Sequence, residues 1–235
     1  VEDKFRATVN PFGVMYNPAS ILHTVERHLA DHDAPRTAVF TLGTNHVYIL
    51  NETGEIVDNC QKRPQRLFTE RELTVDECAS YLRRAVEALR AKRDDVRVII
   101  TVSPIRYAKY GFHGSQLSKA TLLLAADKLV KEYASDRSCK LAYFPAYEIV
   151  NDELRDYRFY REDMLHPSDQ AVKYIHQRFA DTFFSNDTHA FLKKWQPIKA
   201  ALNHRPFNPD SEDYRAFLAK AKEDERKLVE EYGFH

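Results

Sequence analysis

Asp163 and His166 stand three residues apart in Asp163-Met164-Leu165-His166-Pro167-Ser168, just ahead of an amphipathic stretch. An acid at that spacing can hold one ring nitrogen of the histidine and leave the other free to act as a base. The same residues also fit a plain helix start, with Ser168 as N-cap and Asp169 facing the helix dipole. The company this motif keeps favours chemistry. Gly13 can present a backbone N–H with no side chain in the way, and Asn45 or Asn59 can offer an amide N–H. Together they are candidates for an oxyanion hole, worth roughly 3 kcal/mol per well-placed donor. Arg106 and His113 are candidates for gripping a substrate carboxylate or hydroxyl, with Ser103 and Tyr16 as further substrate-binding candidates. Each has an ordinary alternative: a turn glycine, a capping asparagine or a solvated loop.

Other reactive side chains offer less. Ser103 ends a strand but Pro104 follows it, which makes an ordinary turn and not a strand-to-helix elbow. Cys60 carries no sequence sign of a depressed pKa. His28 and His32, with Asp31 and Asp33 nearby, read as a solvated helix end without an open metal-site pattern, so no metal is expected. No glycine-rich phosphate loop follows any strand, which argues against a nucleotide-binding domain. Neither an electron sink nor a Lewis acid is required, so no cofactor is expected. The run from Arg155 to Arg161 mixes charge with tyrosine and reads as part of a functional loop or an ion-paired surface.

The elements that must position these residues alternate between β-rich runs and amphipathic stretches, the pattern of a parallel sheet covered by helices. Phe5 to Val9 reads as a strand, and Asn17-Pro18 opens a helix with Ile21, Leu22, Val25 and Leu29 on its buried stripe. Arg36 to Leu42 reads as a buried strand, and His46 to Leu50 with Glu55 to Asp58 as a hairpin. Thr74 and Glu77 form a capping box, and Val96 to Val102 has the apolar, β-branched texture of a central parallel strand. A loop from Ser103 to Ser115 precedes a helix from Leu117 to Tyr133, and Leu141 to Phe144 gives another strand. The long loop from Pro145 to Pro167 leads into a core helix marked by Val172, Ile175, Phe179 and Phe183. The expected fold class is thus α/β, three layers of helix, mostly parallel sheet and helix, over residues 1–185. Residues 186–235, with a charged helix from Asp210 to Tyr232, form a helical C-terminal extension.

The chain has 235 residues, 43% of them hydrophobic, and its 35 basic and 35 acidic side chains cancel. That balance gives no global field to attract nucleic acid or a charged membrane surface. Three scattered cysteines, Cys60, Cys78 and Cys139, fit a reducing compartment, so a cytoplasmic location is expected.

Several phrases carry a family resemblance. They are Asn10-Pro11-Phe12-Gly13-Val14-Met15-Tyr16-Asn17-Pro18, Thr41-Leu42-Gly43-Thr44, Asn59-Cys60-Gln61-Lys62 and Thr101-Val102-Ser103-Pro104-Ile105-Arg106. Leu117-Ser118-Lys119-Ala120-Thr121 and Asp163-Met164-Leu165-His166-Pro167 complete the set. Their order resembles the SGNH hydrolases, and in detail the GSCFA-domain family, from about Asn10 to Phe217. Gln61 and Tyr107 stand where that family usually has histidine. The resemblance implies an SGNH-like, flavodoxin-like layout and a serine hydrolase acting on a small ester, such as an acylated carbohydrate. In that reading His166 is the base, Asp163 its partner, and Gly13 with Asn59 or Asn45 the oxyanion hole. By family placement Asn59 is preferred. The naming phrase, Gly-Ser-Cys-Phe-Ala, does not occur in the sequence; its serine and the sheet's first strand are expected upstream of Val1. The rival reading is a protein that binds a glycan or acylated ligand on the same fold without turning it over.

Overall fold

A computed structural model describes residues 16–57, 60, 63–136, 138–208 and 211–233. The expected strand from Phe5 to Val9 lies outside them.

Helix α1 (Pro18–Asp31) starts where the sequence expects, with a reciprocal cap: Ser20 N donates to Asn17 Oδ1 at 2.9 Å, and Asn17 N to Ser20 Oγ at 3.2 Å. Its apolar stripe buries Ile21, Leu22 and Val25. Three strands follow in the order β1 (Thr37–Leu42), β2 (His46–Leu50) and β3 (Ile56–Val57), and then β4 (Phe68–Glu72). Helix α2 (Val75–Lys92) is closed by the Thr74–Glu77 capping box. The Thr74 backbone N–H and the Arg71 guanidinium hold the Glu77 carboxyl down to about 2. Strand β5 (Arg97–Val102), helix α3 (Gly111–Tyr133) and strand β6 (Lys140–Phe144) complete the first set of elements.

The main sheet is parallel, in the order β1-β5-β6. Phe40, Leu42, Val98, Ile100 and Val102 share one core with the buried stripes of α1, α2 and α3. β5 lies between two partners and is buried at every position but its first, as its continuous apolar run requires. β1 departs from the expected buried strand. It alternates, with Phe40 and Leu42 inside and Thr37, Val39 and Thr41 exposed, and pairs only with β5 among the described residues. An edge strand with one covered face needs apolar residues only at every second position.

A second, antiparallel sheet has the order β3-β2-β4. The β2–β3 hairpin turns at Gly54, whose φ of +71° suits glycine. β4 was not expected: Thr69-Glu70-Arg71-Glu72 is charged, and its strand form comes from pairing along β2, from His46↔Glu72 to Leu50↔Phe68. α3 begins at Gly111, more than a turn before the expected Leu117, which places His113 on a helix and not in a loop.

The segment after β6 is not the open loop its length suggested. A short helix, α4 (Ala146–Glu148), runs on as a π-helical segment from Ile149 to Leu154. A 3-10 turn at Tyr157–Phe159 and a bridge between Tyr160 and Pro167 then fold the chain back. Helix α5 (Asp169–Phe183) follows. Of the residues expected to make it a core helix, Ile175, Phe179 and Phe183 are half-buried and Val172 is exposed.

The chain divides into two compact units between Lys173 and Tyr174, inside α5. The second contains helices α6 (Asn186–Leu202) and α7 (Glu212–Tyr232). They are joined by the Lys194–Glu231 ion pair and by Phe191 meeting Tyr232 edge-on at 5.2 Å. Among the described residues, no helix is long and apolar enough to cross a membrane.

Candidate active site

The carboxyl ends of β1 and β5 meet in one cluster of loops, where open parallel sheets place reactive groups. Ser103 N donates to Leu42 O at 2.8 Å and ties the two strand ends together. Arg106 then clamps the loop that carries Asp163 and His166: its N–H donates to Leu165 O at 3.1 Å, and its Nη1 to Met164 O at 3.3 Å.

Within that loop the backbone makes a tight reversal. Met164 has a φ of +60°, an uncommon value for a side-chain-bearing residue. Met164 N donates to Arg161 O, and Arg161 N to His166 O at 2.8 Å. The turn aims two N–H groups at one carboxylate oxygen: Leu165 N at 2.9 Å and His166 N at 3.0 Å both donate to Asp163 Oδ1. The other oxygen, Oδ2, lies 2.6 Å from His166 Nδ1. These backbone donors, followed by the imidazole, hold the Asp163 carboxyl down to about 2. A lowered folded-state pKa contributes stability above the ordinary aspartate range, and that contribution is lost as pH falls towards 2. Asp163 is therefore ionised at any ordinary working pH. With Nδ1 facing the acid, Nε2 is the nitrogen left without a partner among the described residues, on a side chain that is 51% exposed.

Ser168, the cap in the alternative reading, does cap α5: Ala171 N donates to Ser168 Oγ at 3.3 Å. The two readings of the motif coexist, because the cap uses Ser168 and the imidazole contact uses Asp163.

Just past the end of β1, Gly43 lies between Tyr16 and Tyr107. Gly43 N and Thr44 N both donate to Tyr16 O, at 2.8 and 2.9 Å. A Cβ at Gly43 would stand 2.5 Å from Tyr107 Oη and 3.1 Å from Tyr16 O. Gly43→Ala is expected to destabilise the protein by roughly 1–3 kcal/mol in urea unfolding, the usual cost of overpacking. Adding Tyr107→Phe, which removes the clashing hydroxyl, should recover much of that loss; an additive double variant would contradict the contact.

The remaining candidates separate. Asn45 is buried, and its amide is committed elsewhere: Nδ2 donates to Leu73 O at 2.8 Å, and Asn45 O accepts from Leu73 N at 2.9 Å. Asn45 thus clamps the β4–α2 connection with one of the two N–H groups of its amide. Ser103 Oγ accepts from Ile105 N at 3.3 Å, a turn cap. Cys60 is pushed up by burial, away from the thiolate. His113 is exposed on the first turn of α3, and its neighbour Phe112 is the residue that meets Arg106. The Tyr16 side chain is exposed, and its backbone carbonyl does the positioning. Gly13 and Asn59 lie outside the described residues. His28 and His32 stack at 4.9 Å, and no group of three metal-ligating side chains gathers among the described residues.

Sequence reasoning missed Lys119. It is 2% exposed, and its Nζ donates to Gly43 O at 2.6 Å while facing the Tyr107 ring at 5.3 Å. Burial depresses the ammonium to about 7. Ser118 braces the same loop, accepting from Asn45 N at 3.0 Å and meeting Thr44 Oγ1 at 3.2 Å. The signal was present: Ser115, Ser118, Lys119, Leu122, Ala126 and Leu129 recur at helical spacing on one buried stripe.

The architecture is that of an α/β protein with its loop cluster at the carboxyl end of a parallel sheet. The GSCFA family model matches residues 33–179, and the GSCFA domain protein C-terminal domain model matches residues 195–234. The chain belongs to the GSCFA family. Comparison with curated proteins returns no match. Among solved structures, one similar chain is a carbohydrate esterase family 3 protein from Talaromyces cellulolyticus. It has 16% identity and a TM-score of 0.44, with 73% of this chain and 67% of that one covered. Another is an acetyl esterase mutant with acetate ion, at 16% identity and a TM-score of 0.41, covering 71% and 64%. The chain thus spans about two thirds of the length of each.

Proposed function

We propose that this chain supplies the acid–base half of an SGNH-type serine esterase that acts on a small polar ester, an acylated carbohydrate among them. The observation that carries the reading is the 2.6 Å contact between Asp163 Oδ2 and His166 Nδ1, which leaves Nε2 as the working nitrogen. The nucleophile is a serine of the family phrase Gly-Ser-Cys-Phe-Ala, contributed from upstream of Val1. Support for that placement comes from β1, whose outer edge is unpaired among the described residues.

In this mechanism Nε2 of His166 takes the serine proton as the hydroxyl oxygen attacks the ester carbonyl. Asp163 stabilises the imidazolium. The tetrahedral oxyanion is held by N–H donors, for which Gly13 and Asn59 or Asn45 are assigned; Asn59 is preferred, because the Asn45 amide already spends one N–H on Leu73 O. The imidazolium then protonates the leaving alcohol, and a water activated by the same nitrogen frees the acid.

An esterase panel on protein carrying the Gly-Ser-Cys-Phe-Ala segment, run beside its Asp163→Asn variant, tests the assignment. An amide at this position would present N–H to Nδ1, so the proton would move to Nε2 and the base would be lost. The expected fall in kcat is about a hundredfold or more, with KM little changed. A variant as active as the parent would overturn the role given to Asp163.

A further inference from the structure

The π-helical segment from Ile149 to Leu154 is a rare geometry that recurs frequently at functional sites. It ends at Arg155, whose φ of 40° is left-handed, with Arg155 N donating to Val150 O at 3.1 Å across the widened turn. Holding a non-glycine residue there costs strain that the surroundings must offset. Arg155 and Arg106 line one open cavity of about 190 Å³, together with Asn151, Asp156, Tyr157 and Tyr160.

The guanidinium of Arg106 is enclosed by rings. Its central carbon lies 4.4 Å from the centroid of Tyr160, 5.3 Å from Phe112 and 5.4 Å from Tyr157. Aromatic faces orient the fork and remove water from it while leaving its edge available for hydrogen bonds. Arg83, Arg161 and Arg226 are ion-paired. Arg106 and Arg155 have no carboxylate within ion-pair distance among the described residues. The one acid at the cavity, Asp156, caps the next turn by accepting from Arg158 N at 2.9 Å. Two cations therefore face the cavity against one carboxylate that is already engaged. Because Arg106 also holds the loop of Asp163 and His166, the cavity and that pair share a wall.

We propose that this cavity binds a carboxylate carried by the substrate, gripped by Arg106 and Arg155 and flanked by Tyr157 and Tyr160. The assignment rests on the esterase reading only for which molecule brings the carboxylate. Charge-assisted bonds to two guanidinium groups supply the affinity, and the tyrosine rings receive the flat or apolar face of the group that bears the acid.

Benzoate is the probe, titrated into the protein by calorimetry at low ionic strength. Saturable one-site binding is expected, weakened about tenfold or more by Arg155→Gln and partly restored in Arg155→Lys, as loss of a charged hydrogen-bond donor requires. Benzamide, of the same shape without the charge, should bind at least about tenfold more weakly than benzoate. Equal binding of the two, indifference to Arg155→Gln, or tighter binding of inorganic phosphate than of benzoate would overturn the proposal. Turnover is not needed for this measurement. A protein that carries the Gly-Ser-Cys-Phe-Ala segment and binds benzoate but hydrolyses nothing contradicts the esterase reading alone, and an active esterase that ignores benzoate contradicts this inference alone.

Discussion

In protein carrying the Gly-Ser-Cys-Phe-Ala segment, His166→Ala is expected to lower kcat/KM towards a small acetyl ester by about a thousandfold or more, without a matching loss of stability. The two halves of that expectation come from different features. The ring is half exposed, its side chain bonds only Asp163 among the described residues, and Asp163 keeps the Leu165 and His166 backbone donors when the ring is gone. Truncation at such a site falls among surface substitutions, usually within about 0.5 kcal/mol. The chemistry, by contrast, loses the group that removes the serine proton and later protonates the alcohol. A thermal melt alongside the kinetics separates the halves. A fall of less than about tenfold would contradict the role of base, since general bases contribute about a hundredfold or more.

The second large effect concerns stability. Wild-type protein should gain roughly 3 kcal/mol over Lys119→Met between about pH 7 and pH 9.5, read from paired urea unfolding curves. The sign follows from proton binding. Burial depresses Lys119 in the folded protein to about 7, below its ordinary value of 10.5. Below pH 7 both states carry the proton, and the folded state bears the full cost of a buried ammonium. Between the two values the unfolded chain binds more protons than the folded one, so stability rises with pH. Methionine has the shape of lysine without the titration. Its loss of the bond to Gly43 O is a constant offset, whereas the wild-type gain grows with pH. Parallel curves for the two proteins would contradict the buried position of the ammonium.

Much of the first unit was legible because its signals are local. Asn17 with Pro18 and Thr74 with Glu77 write their helix starts in side-chain chemistry, and Val96 to Val102 declares a central strand by its unbroken apolar run. What was missed depends on partners far along the chain. β4 is charged and becomes a strand only by pairing with β2. The start of α3 at Gly111 reflects a backbone path fixed by the Tyr107 N to Ser115 Oγ bond, which periodicity does not report. In the candidate site, the Asp163–His166 spacing led to a real contact because three residues of turn suffice to make it. The surroundings of Asn45 and Lys119 were illegible for the opposite reason. Only tertiary structure shows that the asparagine amide donates to Leu73 O and that a lysine tip reaches Gly43 O.

The most direct test is a fluorophosphonate reaction on protein carrying the Gly-Ser-Cys-Phe-Ala segment, with the adduct located by peptide mass spectrometry. One adduct on the serine of that phrase, abolished by His166→Ala, is the expected result. No adduct, an adduct on Ser103, or labelling that persists without the imidazole would contradict the hydrolase account.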